Sequence, residues 1–194
     1  MKKQLFLLFS FLSSATFLHA QILELNPAFP TVNDIVTVTY DATQGNAALV
    51  GQSQIYCHAG LITSASTSPT NWQFVQGNWG TVDPEVAMTN IGNNKHTITI
   101  DIDQFYGFPA GTNVLKLAFV FRNASGNIVG RAADGSDIYY DIYPVNAGLL
   151  ASFFHPSAGT ILDINEVLSI YAATNQTTNV FLYDQGKPDN PVQV

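Results

Sequence analysis

The chain has 194 residues, of which 46% are hydrophobic, 12% aromatic and only 11% charged, with 14 Gly and 9 Pro; this balance of aromatics and turn formers excludes a disordered segment or a coiled coil. With an N-terminal leader set aside, what remains is shorter than the roughly 200–250 residues of a (β/α)8 barrel, so no barrel glycosidase fits within it. A formal charge of −7, more acidic still without Lys2 and Lys3, makes phosphate backbones and anionic lipid poor partners.

Lys2 and Lys3 precede an apolar run from Leu5 to Leu12, then Ser13, Ser14 and the small-residue end Leu18-His19-Ala20. That order predicts a secretory signal over residues 1–20, cut after Ala20, with an apolar core shorter than the roughly 20 residues that cross a bilayer. The expected mature protein is secreted or held at the surface of a Gram-negative bacterium, with no membrane segment once the signal is removed. Cys57 is the only cysteine, so no intrachain disulfide and no lipid-bearing cysteine near Ala20 is possible. Its alternation with Ile55 suits a small buried hydrophobe.

Beyond the leader, period-2 alternation dominates. Val36, Val38 and Tyr40 form one apolar row; Ile98, Ile100 and Ile102 form another opposite Thr97, Thr99 and Asp101. Leu115, Leu117, Phe119 and Phe121 oppose Val114, Lys116, Ala118, Val120 and Arg122, and Ile138, Tyr140 and Ile142 make a further row. Between them lie turn formers, among them Gln44-Gly45-Asn46, Gly92-Asn93-Asn94, Ser125-Gly126-Asn127 and Asp134-Gly135. About seven strands over residues 22–143 predict an all-β, immunoglobulin-like β-sandwich occupying residues 21–143.

The pattern then starts over. Val32-Asn33-Asp34-Ile35-Val36-Thr37-Val38 matches Ile164-Asn165-Glu166-Val167-Leu168-Ser169-Ile170, and Gln54-Ile55-Tyr56 before Gly60 is echoed by Val180-Phe181-Leu182 before Gly186. A second immunoglobulin-like domain over residues 148–194 is expected, truncated because about three strands cannot close a two-sheet core. The chain reads as the N-terminal piece of a longer polypeptide; the alternative is a short accessory sheet packed on the first domain.

Signatures of catalysis are missing: the sequence holds no Gly-x-Ser-x-Gly elbow, phosphate-cradling loop, Cys-x-x-Cys or His-x-x-x-His. Catalytic residues, metal ligands and cofactors are therefore not expected. Asp101 and Asp103 read as a solvated strand edge rather than an acid–base pair, and Asp134, Asp137 and Asp141 as a turn rather than a cation site. Asn123-Ala124-Ser125 and Asn175-Gln176-Thr177 fit the N-glycosylation pattern and carry little weight behind a bacterial leader.

The informative stretch is Gln54 to Gly80, QIYCHAGLITSASTSPTNWQFVQGNWG. With Ile55 and Cys57 turned inward, alternation sets Tyr56 and His58 on the outer face. Trp72 follows a loop rich in Ser, Thr and Pro, and Trp79 sits in a second loop between Gly77 and Gly80. Two indoles and an imidazole on one sandwich face suit a neutral sugar chain, because a pyranose ring has an apolar side. Burying roughly 100 Å² per ring at about 25 cal/mol/Å² gives about 2.5 kcal/mol, so two stacks reach a dissociation constant of roughly a millimolar. Such weak binding becomes useful when repeated along a polymer.

At these residues the chain resembles the small starch-binding modules of carbohydrate-binding families 25 and 26. It is also similar to the N-terminal immunoglobulin-like domain of secreted family 13 (α-amylase-type) glycoside hydrolases of Bacteroidetes. The resemblance is carried by Ile55-Tyr56-Cys57-His58-Ala59-Gly60, Trp72, Gly77-Asn78-Trp79-Gly80, Met88-Thr89, Phe119-Val120-Phe121-Arg122-Asn123 with Ser125-Gly126, and Asp137-Ile138-Tyr139. It implies an α-glucan partner, starch or glycogen, contacted by His58 and Trp72, and a catalytic domain further along the same longer chain; Trp79, in place of a further aromatic of those modules, and Asn123 are the other expected contacts. The fragment itself would be non-catalytic. Two other readings compete: a structural spacer or adhesion module with both tryptophans buried, and a hydrolase, which needs two facing carboxylates about 5–9.5 Å apart.

Overall fold

The computed structural model describes residues 21–155, 171–177, 181–184 and 187–193. The predicted signal and the second copy of the repeat, 164–170, lie outside the described residues. Nine strands run between residues 23 and 141: β1 (Leu23–Asn26), β2 (Ile35–Asp41), β3 (Tyr56–Thr63), β4 (Gln73–Gln76), β5 (Thr89–Gly92), β6 (Lys95–Asp101), β7 (Val114–Arg122), β8 (Val129–Gly130) and β9 (Ile138–Asp141). They form two antiparallel sheets, β1-β2-β6-β5 and β4-β3-β7, with β8 and β9 both pairing with β7. The protein is an all-β sandwich whose strand order is that of the immunoglobulin type.

Alternation explains the core. Val36, Val38 and Tyr40 of β2 are fully buried, as are Leu117, Phe119 and Phe121 of β7. The sheets meet where Tyr40 stacks on Phe121 with ring centroids 3.9 Å apart. Cys57 is buried in the same core, and desolvation pushes its thiol up to about 12, so it packs as an inert hydrophobe.

Three local expectations are corrected. The apolar row of Leu115, Leu117, Phe119 and Phe121 breaks at its first member: a bulge shifts the β3–β7 register between Ile62 and Thr63, so Val114 is buried and Leu115 is exposed. The row through Ile98, Ile100 and Ile102 ends one residue early, because Ile102 opens helix α1 (Ile102–Tyr106). Asp101 is thus both the last residue of β6, paired with Ile35, and the cap of the helix: its Oδ1 accepts from the Gln104 N–H at 3.3 Å, and Gly107 closes the helix at φ 61°. Finally, Tyr56 faces outward yet is covered, with the Arg122 guanidinium 5.0 Å from its ring centroid.

Further along the chain, β10 (Ala151–His155) pairs with β11 (Tyr171–Thr174), and β12 (Phe181–Asp184) with β13 (Lys187–Gln193), each pair antiparallel. Asn175 ties the start of this segment together, donating from Nδ2 to the Gly148 carbonyl and accepting from the Leu150 N–H.

A candidate sugar-binding cleft on the outer face of the second sheet

On the outward side of β3 and β7 the row narrows midway along the strands, where His58 pairs with Val120 and Gly60 with Ala118. Ala118 and Val120 are nonetheless buried, because loop residues lie over them. Trp72 rests on Gly60, where a methyl group would come within 3.0 Å of Trp72 Cε3 and 3.1 Å of its Cβ. Trp79 rests on Gly126, where a methyl group would come within 2.7 Å of Trp79 Nε1. Gly126 is doubly constrained, since its φ of 70° also disfavours a side chain.

The loop before Trp72 is built from its own polar side chains. Asn71 Oδ1 accepts from the Thr67 N–H and from Gln73 Nε2, both at 3.1 Å, and the Tyr139 hydroxyl donates to the Pro69 carbonyl at 2.9 Å, tying the loop to β9. The Trp72 indole N–H lies beside the Tyr139 hydroxyl without a hydrogen bond of good geometry.

The loop carrying Trp79 is clamped more tightly. Asp83 Oδ2 accepts from the Asn78 N–H at 2.9 Å and from Asn78 Nδ2 at 3.2 Å, while its Oδ1 takes the Glu85 N–H. These donors, the Asn78 N–H foremost, hold the Asp83 carboxyl below the usual carboxylate range. Arg122 is fully buried. Its guanidinium donates to the carbonyls of Asn78 and Thr81 in this loop and of Asn123 and Ala124 in the turn after β7, at 2.6–3.2 Å. It also lies 5.9 Å from the Trp79 ring centroid.

His58, Trp72 and Trp79 do come together. The His58 ring lies 5.9 Å from Trp72 at 29° and 5.3 Å from Trp79 at 87°. The two indole planes are therefore steeply inclined, forming a corner rather than a flat shelf. Trp79 is 46% exposed and Trp72 is half-buried. His58 Nδ1 lies 2.9 Å from the Gly77 carbonyl, which can only accept, so Nδ1 carries the proton. Burial, ahead of the opposing Gly77 contact, lowers the imidazole pKa and keeps Nε2 free of a proton at neutral pH. The three rings line a cleft of about 360 Å³ together with Asn71, Arg131 and Asp137, in the size range of small-ligand sites.

Asn123 is not among the residues lining this cleft. Its side chain closes the turn after β7, donating to Asn127 Oδ1 at 2.7 Å and accepting from the Ile128 N–H at 3.3 Å. Sequence reasoning missed Arg131 and Asp137 as cleft residues, and Asp134, Asp137 and Asp141 each have a different partner. Asp134 accepts from Ser136 as a turn residue, Asp137 pairs with Arg131, and Asp141 pairs with Lys116. Among the described residues no group of three or more His, Cys, Asp or Glu is placed to hold a metal ion. No described helix is long and apolar enough to cross a membrane.

No curated protein matches the chain. A family match covers residues 23–129, more than half of the chain and the whole of the Trp72–Trp79 region, and the chain thus belongs to the family described as a domain of unknown function, DUF8578.

Proposed function

We propose that this domain is a non-catalytic carbohydrate-binding module for neutral α-glucan, starch or glycogen, serving as an accessory to a secreted α-amylase-type hydrolase. The observation that carries the reading is the meeting of His58, Trp72 and Trp79 on one outer face, with Trp79 46% exposed. A spacer would bury both indoles, so this exposure favours a binding role. The inclination of the indoles supports an α-glucan in particular. Successive rings of an α-1,4 chain turn relative to one another and can meet two inclined faces, whereas a flat β-1,4 ribbon needs a coplanar row. His58 Nε2 adds one hydrogen-bond acceptor for a sugar hydroxyl. Native gels containing amylopectin test the reading: the chain is expected to be retarded, and Trp72→Ala or Trp79→Ala to remove the retardation. Wild-type mobility unchanged by amylopectin would leave the domain as a spacer.

A further inference from the structure

Arg131 and Asp137 line the cleft but play no part in the stacking that carries the reading above. Arg131 follows β8 and Asp137 precedes β9, and the turn between them folds back through an Ala132 N–H to Ser136 carbonyl bond of 3.0 Å. This places Arg131 Nη1 against Asp137 Oδ1 as an ion pair. Both partners are braced. The Arg131 backbone exchanges bonds with Asn46, giving its N–H to Asn46 Oδ1 at 3.2 Å and its carbonyl to the Asn46 N–H at 3.0 Å. Asp137 Oδ2 faces the Tyr139 hydroxyl at 3.4 Å.

The pair's single contact engages one of five guanidinium N–H groups and part of the carboxylate's acceptor capacity. What it presents is a row of donors beside a row of acceptors with no net charge. A hydroxyl both donates and accepts, so two neighbouring hydroxyls match such a row. We infer that the Arg131–Asp137 pair is the specificity element of this site, reading two adjacent hydroxyls of an uncharged pyranose and discriminating against sugars that carry a carboxylate. One hydroxyl accepts from Arg131 and its neighbour donates to Asp137. An arginine alone would favour an anionic sugar and an aspartate alone would repel one; neutralising each other, they leave hydroxyl geometry as the recognised feature. The inference rests on the carbohydrate reading.

The test compares the whole chain with Asp137→Asn and Arg131→Gln in native gels containing amylopectin or carboxymethyl-amylopectin. The wild type is expected to be retarded by the neutral polymer and far less by the charged one. Asp137→Asn leaves Arg131 uncompensated: its affinity for amylopectin falls at least tenfold while that for carboxymethyl-amylopectin rises. Arg131→Gln weakens the first without raising the second. A purely structural role would weaken both polymers together in both variants. Wild-type retardation on amylopectin with both variants unchanged, or Asp137→Asn losing both polymers alike, overturns the inference and leaves the carbohydrate reading standing. A wild type retarded by neither polymer overturns both.

Discussion

On the outside of the first sheet the middle of the row facing away from the core is made of threonines: Thr37 pairs with Thr99 and Thr39 with Thr97, and the Thr37 and Thr99 hydroxyls lie 3.1 Å apart. On the outside of the second sheet the corresponding residues include Gly60, Ala118, Val120 and Arg122, and the last three are all buried. The first face follows the ordinary rule of a half-solvated antiparallel sheet, with β-branched polar residues pairing across strands. The second has lost its side-chain bulk at Gly60 and Ala118, where an indole delivered by a loop lies on it. Small residues in the outward row of an otherwise apolar strand are thus a footprint, and they mark the face that loops cover.

The comparison can be broken hardest at Arg122. Replacing it with Met leaves four carbonyls from two loops without their shared donor, and a loss of about 3–4 kcal/mol in urea unfolding is expected, with Trp79 emission shifted to the red. Gly60→Val comes next. The new side chain occupies the seat of Trp72, so overpacking costs about 1–3 kcal/mol, iodide quenching of Trp72 increases and amylopectin retardation is lost. The matched substitution on the other face, Thr99→Val, is expected to change stability by no more than about 0.5 kcal/mol; an equal cost at both positions would remove the distinction between the faces. Trp79→Ala separates function from folding: 46% exposed, the ring contributes at most about 1 kcal/mol to stability but about 2.5 kcal/mol to a sugar stack.

The smallest expected effect is on pH. Burial lowers the pKa of both His58 and His96 from the usual 6.5, so each binds fewer protons folded than unfolded. The stability they contribute is full above about pH 6.5 and is lost as the pH falls below that unfolded value, levelling off once it passes the folded ones. Unfolding midpoints measured from pH 7.5 to 5.0 should therefore fall, and His58→Gln should reduce the fall. A midpoint that rises on acidification contradicts the sign.

Alternation made the sandwich legible because both sheets bury one complete face, and the same period placed His58 outward with the tryptophans nearby. The departures are local. The bulge at Leu115 and the cap at Asp101 each change the period within one or two residues, faster than a row of side chains can signal, although Asp101 followed by Gln104 and Gly107 spells a short helix. Arg122 could not be assigned its role from sequence because all four of its hydrogen-bond partners are backbone carbonyls, and a carbonyl has no residue identity to read. Arg131 and Asp137 stayed hidden for another reason: they meet over the cleft only after a turn and an anchor at Asn46, on the far side of the chain, have set their direction. Asn123 closes a turn in the structure, because a polar residue at the end of a strand serves a turn as readily as a ligand.

Because one guanidinium grips both the loop that bears Trp79 and the turn beneath it, a tug on that ring is delivered to the central strand of the sheet and not absorbed by a yielding tip. The ring is held in position before any encounter, which lowers the ordering cost of any association made through it.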